Sequence, residues 1–106
     1  MEGDPVVRHA LFGIRACLPS EVAAIIGRQF GCAFEQRESH YTGDYWTAKI
    51  GSAVVKIATQ PDSYGDPVEI NFPAHQTLIY VDGEQSNMQI EGIIVGGHSV
   101  ERLRIA

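Results

Sequence analysis

The sequence has little of what disulfide scaffolds, metal centres and membrane spans require. It contains two cysteines, Cys17 and Cys32, whose spacing fits neither CxxC chemistry nor a zinc knuckle, so we expect two reduced thiols. No apolar run approaches the ~18 residues of a membrane span. The N-terminus also lacks the basic region and apolar stretch of a secretory signal. These absences predict a cytoplasmic protein that does not contact a membrane.

Motifs of enzyme active sites are also absent. The four histidines, His9, His40, His75 and His98, form no HxxxH or HExxH pair, so their spacing supports no metal site. There is no GxSxG motif or catalytic cysteine signature, and the glycines form neither GxGxxG nor a phosphate-binding loop. We therefore predict no catalytic residue, no metal, no cofactor and no enzymatic activity.

Basic residues are few, and one long interval has none. The net charge is −5, and no Lys or Arg occurs between Lys56 and Arg102. That interval contains seven acidic residues: Asp62, Asp66, Glu69, Asp82, Glu84, Glu91 and Glu101. Such a distribution gives either a solvated acidic face or a surface that meets a basic partner. Direct binding to nucleic acid is disfavoured, because phosphate contacts need clustered Lys and Arg.

Two local patterns in the first half are clear. In LPSEVAAIIGRQFG, a Pro-Ser pair at the start, apolar residues at helical spacing and Gly31 past the end predict a helix. The segment YWTAKIGSAVVKIATQ predicts two strands joined at residues 51–52 by a Gly-Ser pair suited to a type II′ turn. Trp46, Ala48 and Ile50 alternate with polar residues, so one face of this hairpin should pack against a core.

The remaining segments predict an α+β fold. Strands are expected in HALFGIRAC, CAFEQRESH, TLIYVDG and SVERLRIA, and PDSYGDPVEINFPAHQ is expected to be a long loop. Ser86 and the glycines after NMQIEGIIV favour a second helix over residues 86–96, although β-branched residues and Gly92 leave a strand open. The N-terminal and C-terminal parts of the chain would then each consist of a strand, a helix and a strand. We predict one domain over residues 1–106: a mostly antiparallel sheet with two helices on one face, in ferredoxin-like βαβ halves with an inserted β-hairpin.

The segment RESHYTGDYW, residues 37–46, concentrates aromatic and charged side chains around a chain reversal. If the aromatic residues are structural, Trp46 lies in the core and Tyr45 covers a sheet edge. If they are exposed, Tyr41, Asp44 and Tyr45 combine rigid rings with a carboxylate, a composition typical of a binding surface for a basic partner.

This segment and its surroundings resemble a group of small bacterial proteins of unassigned activity. Their pattern is a helix, then F-E-x-R-E-S-x-Y-x-G-x-Y, then a proline-flanked strand with Y-V-D/N. The matching residues are Phe34, Glu35, Arg37, Glu38, Ser39, Tyr41, Gly43, Tyr45, Pro73, Tyr80, Val81 and Asp82. Small acidic proteins of this kind resemble the immunity proteins of bacterial toxin systems, including contact-dependent growth inhibition. The resemblance covers roughly residues 18–83 and implies no catalytic residue.

Three hypotheses follow. The first is a cytoplasmic immunity protein that neutralises a cognate, basic toxin such as a nuclease by occluding its active-site region. Its predicted contact residues are Tyr41, Asp44, Tyr45, Asp62, Asp66 and Glu69. The second is a small-molecule-binding or enzymatic α+β domain with a pocket near His40, Tyr41, His75 and Tyr80. The third is a homodimer paired through exposed sheet edges, so that the choice between monomer and homodimer stays open.

Overall fold

The computed structural model describes residues 9–39, 43–60, 65–66, 68–83 and 90–105. Strand β1 (His9–Ile14) leads into helix α1 (Pro19–Phe30), which is followed by β2 (Glu35–Ser39), β3 (Gly43–Ile50), β4 (Ala53–Thr59) and β5 (Thr77–Asp82). Three further strands close the described part: β6 (Ile94–Val95), β7 (His98–Ser99) and β8 (Glu101–Ile105).

Six of these strands form one sheet in the order β2-β3-β4-β5-β1-β8, and every neighbouring pair is antiparallel. Strands β6 and β7 form a separate two-stranded hairpin. The prediction of an α+β fold with a mostly antiparallel sheet is confirmed.

Helix α1 begins and ends where the sequence predicts. The backbone N–H of Leu18 donates to the carboxylate of Glu21 at 3.0 Å, which satisfies a donor at the helix start. Gly31 ends the helix with a left-handed φ of 67°, and the next N–H, of Cys32, donates to the Gly27 carbonyl at 2.8 Å. The helix is thereby fixed at both ends.

The core lies between α1 and one side of the sheet, called here the helix side. Val22 and Ile26 of α1 are fully buried there, and they belong to one cluster with Phe12, Ile57 and Ile79 of the central strands. The predicted β3–β4 hairpin is confirmed, and its partly buried Trp46, together with Ile50, packs against this cluster. The opposite side of the sheet is called the far side.

The predicted second helix is wrong over the residues that the structure describes. Residues 90–99 form turns and the short β6–β7 hairpin, because Gly92, Gly96 and Gly97 adopt positive φ angles of 91°, 57° and 84°. Such angles break a helix, and the β-branched residues between them suit a strand. Ser86, the predicted helix cap, lies outside the described residues.

The ferredoxin-like pair of βαβ halves is therefore also wrong within the described chain. Only its first half contains a helix, and three strands separate β1 from β2 in the sheet, so that the two do not form a compact βαβ unit. One helix, rather than two, covers the helix side in the part of the chain described.

Candidate functional site

A loop formed by residues 65–66 and 68–76, called here the covering loop, is held to the sheet by one buried side chain. The Gln60 side-chain oxygen accepts the Glu69 backbone N–H at 3.0 Å. Its amide nitrogen donates to the carbonyls of Phe72 at 2.6 Å and His75 at 2.8 Å. Since Gln60 is only 6% exposed, these three bonds are shielded from water and fix the loop's position.

Glu69 of the covering loop is bound by two side chains from the far side of the sheet. Its carboxylate accepts the Tyr80 hydroxyl at 2.7 Å and the Arg104 guanidinium at 3.1 Å. Burial, and then the hydrogen bond and negative charge of Glu69, raise the pKa of Tyr80 above its usual value of 10, while Arg104 acts in the opposite direction. The Glu69 side chain is 16% exposed, so its charge is directed inward.

His75 attaches the same loop to the last strand. Its imidazole side chain is 6% exposed, and its Nε2 lies 2.5 Å from the Glu101 carboxylate. This hydrogen bond holds the pKa of Glu101 below its usual 4.5, and the Arg15 guanidinium, 3.9 Å away, acts in the same direction. The ring fits because Gly13 lies beneath it: a Cβ there would be 3.0 Å from the imidazole. Among the described groups, Nδ1 of His75 has no hydrogen-bond partner and is buried, which suits anchoring better than contact with a substrate.

Most described carboxylates of the base-free interval have a basic or imidazole partner. Glu69, Glu91 and Glu101 form ion pairs with Arg104, Arg102 and Arg15 respectively. Asp82 forms a hydrogen bond with the imidazole of His9, and Glu101 forms one with that of His75. The interval therefore does not form one uniformly acidic surface in the described structure. Asp66 is exposed on the covering loop.

The end of the β2–β3 hairpin holds a different arrangement of charge. Glu38 lies directly opposite Asp44 in the register of the two strands, on the helix side, and both residues are exposed. Gln36 donates to the Asp44 carboxylate at 3.1 Å. Arg37 points to the far side, where it donates to Glu35. No cationic side chain within the described ranges forms an ion pair with Glu38 or Asp44, and like charges directly opposite one another disfavour the hairpin.

The predicted contact residues that the structure describes lie in two places, on strand β3 and on the covering loop. Asp44 and Tyr45 are consecutive on β3 and so point to opposite sides of the sheet. Tyr45 is half-buried on the far side, with the Lys56 ammonium 4.6 Å from its ring centroid. Asp66 and Glu69 belong to the covering loop, which packs against the far side. Tyr41 and Asp62 lie outside the described residues.

The alternative pocket residues are only partly brought together. His75 and Tyr80 both lie on the far side, but the Nε2 of His75 contacts Glu101 and the hydroxyl of Tyr80 donates to Glu69. A shallow hollow of about 220 Å³ beside Tyr80 is bordered by Arg104 and by the His9–Asp82 pair. His40 and Tyr41 lie outside the described residues.

A second hollow lies on the helix side, and sequence analysis did not identify it. It measures about 240 Å³; Ala23, Ala24 and Gly27 of α1 form its floor, and the half-buried rings of Phe34 and Trp46 form its walls. We call it the α1–β3 groove. The available signal was the run of small residues along α1 at spacings of three and four, which places them on one helix face.

Within the described residues, no helix is long and apolar enough to cross a membrane. In the same part of the chain, no three His, Cys, Asp or Glu side chains are close enough together to hold a metal ion. Comparisons of the chain with protein-family models, with curated proteins and with solved structures found no match.

Proposed function

We propose that this chain is an immunity-type protein that binds a basic toxin, such as a nuclease, and neutralises it by occluding its active-site region. The observation that supports this proposal most directly is the opposition of Glu38 and Asp44 at the end of the β2–β3 hairpin. The net charge of −5 would also speed the approach of a basic protein.

The Glu38–Asp44 pair is unfavourable in the free protein and favourable once a cation is added. Two exposed carboxylates facing one another repel, whereas a Lys or Arg from a partner would interact with both. Close charge pairs across some protein interfaces couple by about 1.5–7 kcal/mol, more than the 0.2–1 kcal/mol or so of exposed pairs. The arrangement therefore destabilises the free hairpin slightly and favours binding of a basic partner.

The other predicted contacts have distinct roles in this proposal. Asp44 lies in the β2–β3 hairpin that meets the toxin, and Tyr45 presents a rigid ring on the far side of β3. Asp66 contributes acidic charge from the covering loop. Tyr41 and Asp62, which lie outside the described residues, are included as contacts on the sequence pattern alone. Glu69 acts indirectly, because its carboxylate already binds Tyr80 and Arg104 and so holds the loop in place.

The first experiment is co-expression with the product of the neighbouring gene, followed by affinity purification of this chain and an assay of growth. The proposal requires that the two proteins co-purify and that this chain restores growth when the neighbour is toxic. Failure of both would contradict the proposal for that neighbour.

The second experiment uses charge reversal at one site, with a matched control. Asp44→Lys should slow association and weaken the complex by about tenfold or more, because it removes a carboxylate from the contact. In the free protein, the gain of roughly 0.2–1 kcal/mol from placing a cation opposite Glu38 offsets the loss of the exposed Gln36 hydrogen bond to Asp44, so the free energy of unfolding should change by less than about 1 kcal/mol. Loss of binding could therefore not be attributed to unfolding.

Glu91→Lys is the control, because it changes the net charge equally at an exposed site whose one ion pair within the described residues is with Arg102, at 3.8 Å. The control should retain near-normal affinity. Equal losses in both variants would mean that overall charge, rather than the hairpin, determines binding. Reversal of Asp62 and Asp66 together tests the covering-loop contribution in the same assay.

The small-molecule alternative has weaker geometric support. The hollow beside Tyr80, at about 220 Å³, is smaller than the roughly 300–1,000 Å³ of ligand sites. The polar atoms of Tyr80 and the Nε2 of His75 are engaged within the protein. A thermal-shift screen with metabolites tests this alternative, since a ligand at 100 times its Kd should stabilise the protein by about 2.7 kcal/mol.

A further inference from the structure

We infer that the α1–β3 groove receives one apolar side chain of a partner segment whose neighbouring Lys or Arg contacts the Glu38–Asp44 pair. This inference rests on the proposed function for the identity of the partner as a basic protein. It adds the chemistry of the recognised segment: an apolar anchor with a cation close by on the same face.

The groove has the form of a site for a single side chain. Its floor lacks large side chains, since Ala23, Ala24 and Gly27 line it. Gly27 is tightly packed, because a Cβ there would lie 2.7 Å from the Cys32 carbonyl oxygen. The Trp46 wall is half-buried, which leaves part of a rigid aromatic surface free to contact an apolar group. The volume of about 240 Å³ is below that of sites for drug-sized ligands, roughly 300 Å³ and more.

The register of β2 and β3 places the carboxylates next to the groove on the same side of the sheet. Trp46 pairs with Gln36, and two residues further along, Asp44 pairs with Glu38. Residues two apart on a strand share a face and are separated by roughly 7 Å. An extended partner segment with an apolar residue and a Lys or Arg two positions apart spans this distance, as does a helix with them three or four apart.

The charge beside the groove selects among possible occupants. An acidic segment or a nucleic acid would bring negative charge against Glu38 and Asp44, neither of which has a cationic partner in the described structure. An apolar segment without a cation would fill the groove and leave the carboxylate repulsion in place. A basic segment with an apolar anchor satisfies both parts of the surface.

Trp46 makes this inference directly measurable, because it is the only tryptophan of the chain and lines the groove. The probe is the capped peptide TLTKTLTKT, which presents leucine and lysine on one face when extended. The comparison peptides are TLTETLTET and TGTKTGTKT. The first should change Trp46 emission and bind about tenfold more tightly than either comparison, since each lacks one of the two interactions. No emission change, or equal binding of all three, would overturn the inference.

A groove-filling variant and its control locate the binding. Ala24→Leu places a helix-compatible side chain in the groove and should weaken peptide binding by about tenfold. Gln29→Leu makes a comparable change at an exposed position on another side of α1 and should leave binding unchanged. Unchanged binding by Ala24→Leu would contradict occupancy of the groove.

The same variants separate this inference from the proposed function. If the toxin complex forms and Ala24→Leu binds the toxin as tightly as the native chain, the groove inference fails and the immunity function stands. If the lysine–leucine peptide binds but no neighbouring toxin is neutralised, the immunity function fails and the groove remains a peptide-binding site.

Discussion

Gln60 should contribute more to the stability of the far side than any other single polar side chain of the described structure. Gln60→Met preserves approximate length and volume but removes the three hydrogen bonds to the covering loop, at 2.6, 2.8 and 3.0 Å. Because Met can neither accept the Glu69 N–H nor donate to the Phe72 and His75 carbonyls, all three backbone groups lose this partner.

The magnitude follows from those bonds. A hydrogen bond contributes a net 0.5–1.5 kcal/mol or so, and three give about 1.5–4.5 kcal/mol. The backbone bond from the Gln60 N–H to the Gln76 carbonyl, at 2.9 Å, does not involve the replaced side chain and limits the damage to the loop. We therefore expect Gln60→Met to lower the free energy of unfolding by about 2–4 kcal/mol, a large share of the 5–15 kcal/mol typical of a domain.

Urea unfolding followed by Trp46 emission measures this loss, and amide hydrogen exchange at Glu69 locates it. Gln29→Met is the control, since Gln29 is exposed on α1, and its substitution should change stability by less than about 0.5 kcal/mol. If Gln60→Met also costs less than about 0.5 kcal/mol, the hydrogen bonds to Gln60 do not hold the loop and the argument is refuted. If the loop contributes to the proposed partner binding, the same variant should also accelerate dissociation of the proposed toxin complex.

Three further changes test the charged contacts and one strained residue. Tyr80→Phe removes the hydroxyl bond to Glu69. Because the pKa of Tyr80 is raised on folding, the contribution of the neutral hydroxyl to stability is present below about pH 10 and is lost as the pH rises further. In urea titrations at alkaline pH, the variant should therefore lose less stability than the native chain. Glu101→Gln should make the free energy of unfolding depend less on pH below about pH 4.5. The hydrogen bond from His75 lowers the pKa of Glu101 in the folded protein, so the stability that its carboxylate contributes is present above about pH 4.5 and is lost as the pH falls through that lowered pKa. Ala16→Gly should raise the unfolding free energy by roughly 1 kcal/mol, because Ala16 has a left-handed φ of 56°; a lowered Tm would refute this.

The elements that were predicted correctly are those fixed by local signals. The Pro-Ser start and Gly31 end of α1 act within one turn of the chain, and both are observed. The Gly51-Ser52 pair sets the β3–β4 turn, where Gly51 has the positive φ of 61° that a type II′ turn requires at its first position. These features depend on few neighbours, so the order of residues alone indicates them.

The second helix failed because tertiary contacts decide the structure of residues 90–99. The Gly92 N–H donates to the Val100 carbonyl, and the Val100 N–H donates to the Ile93 carbonyl, each at 2.8 Å. The Cys17 thiol also donates to the Val95 carbonyl at 3.1 Å. Contacts between residues 17 and 95 have no local signature in the sequence, so periodicity could not reveal them.

In the candidate site, too, the features that local signals determine were predictable, and those that depend on contacts between distant residues were not. The hairpin that carries Asp44 and Tyr45 was predictable from alternation and turn residues, but the opposition of Glu38 and Asp44 depends on the strand register. The neutralisation of Glu69 by Arg104 depends on β8 lying beside β1 in the sheet. A charge count along the chain therefore overstated the acidic surface of the base-free interval.

The two edges of the sheet argue for binding through side chains rather than through strand pairing. Edge strand β2 presents the exposed residues Glu35 to Glu38, three of which are charged. At the other edge, the register of β1 and β8 shifts between Leu11 and Phe12, and β8 presents exposed charged residues. Charged side chains and irregular register both oppose addition of another strand, so a homodimer paired edge to edge has little support. In the proposal made above, a basic partner instead meets the face of the β2–β3 hairpin, where Glu38 and Asp44 lie beside the α1–β3 groove and provide charge and apolar surface within one contact.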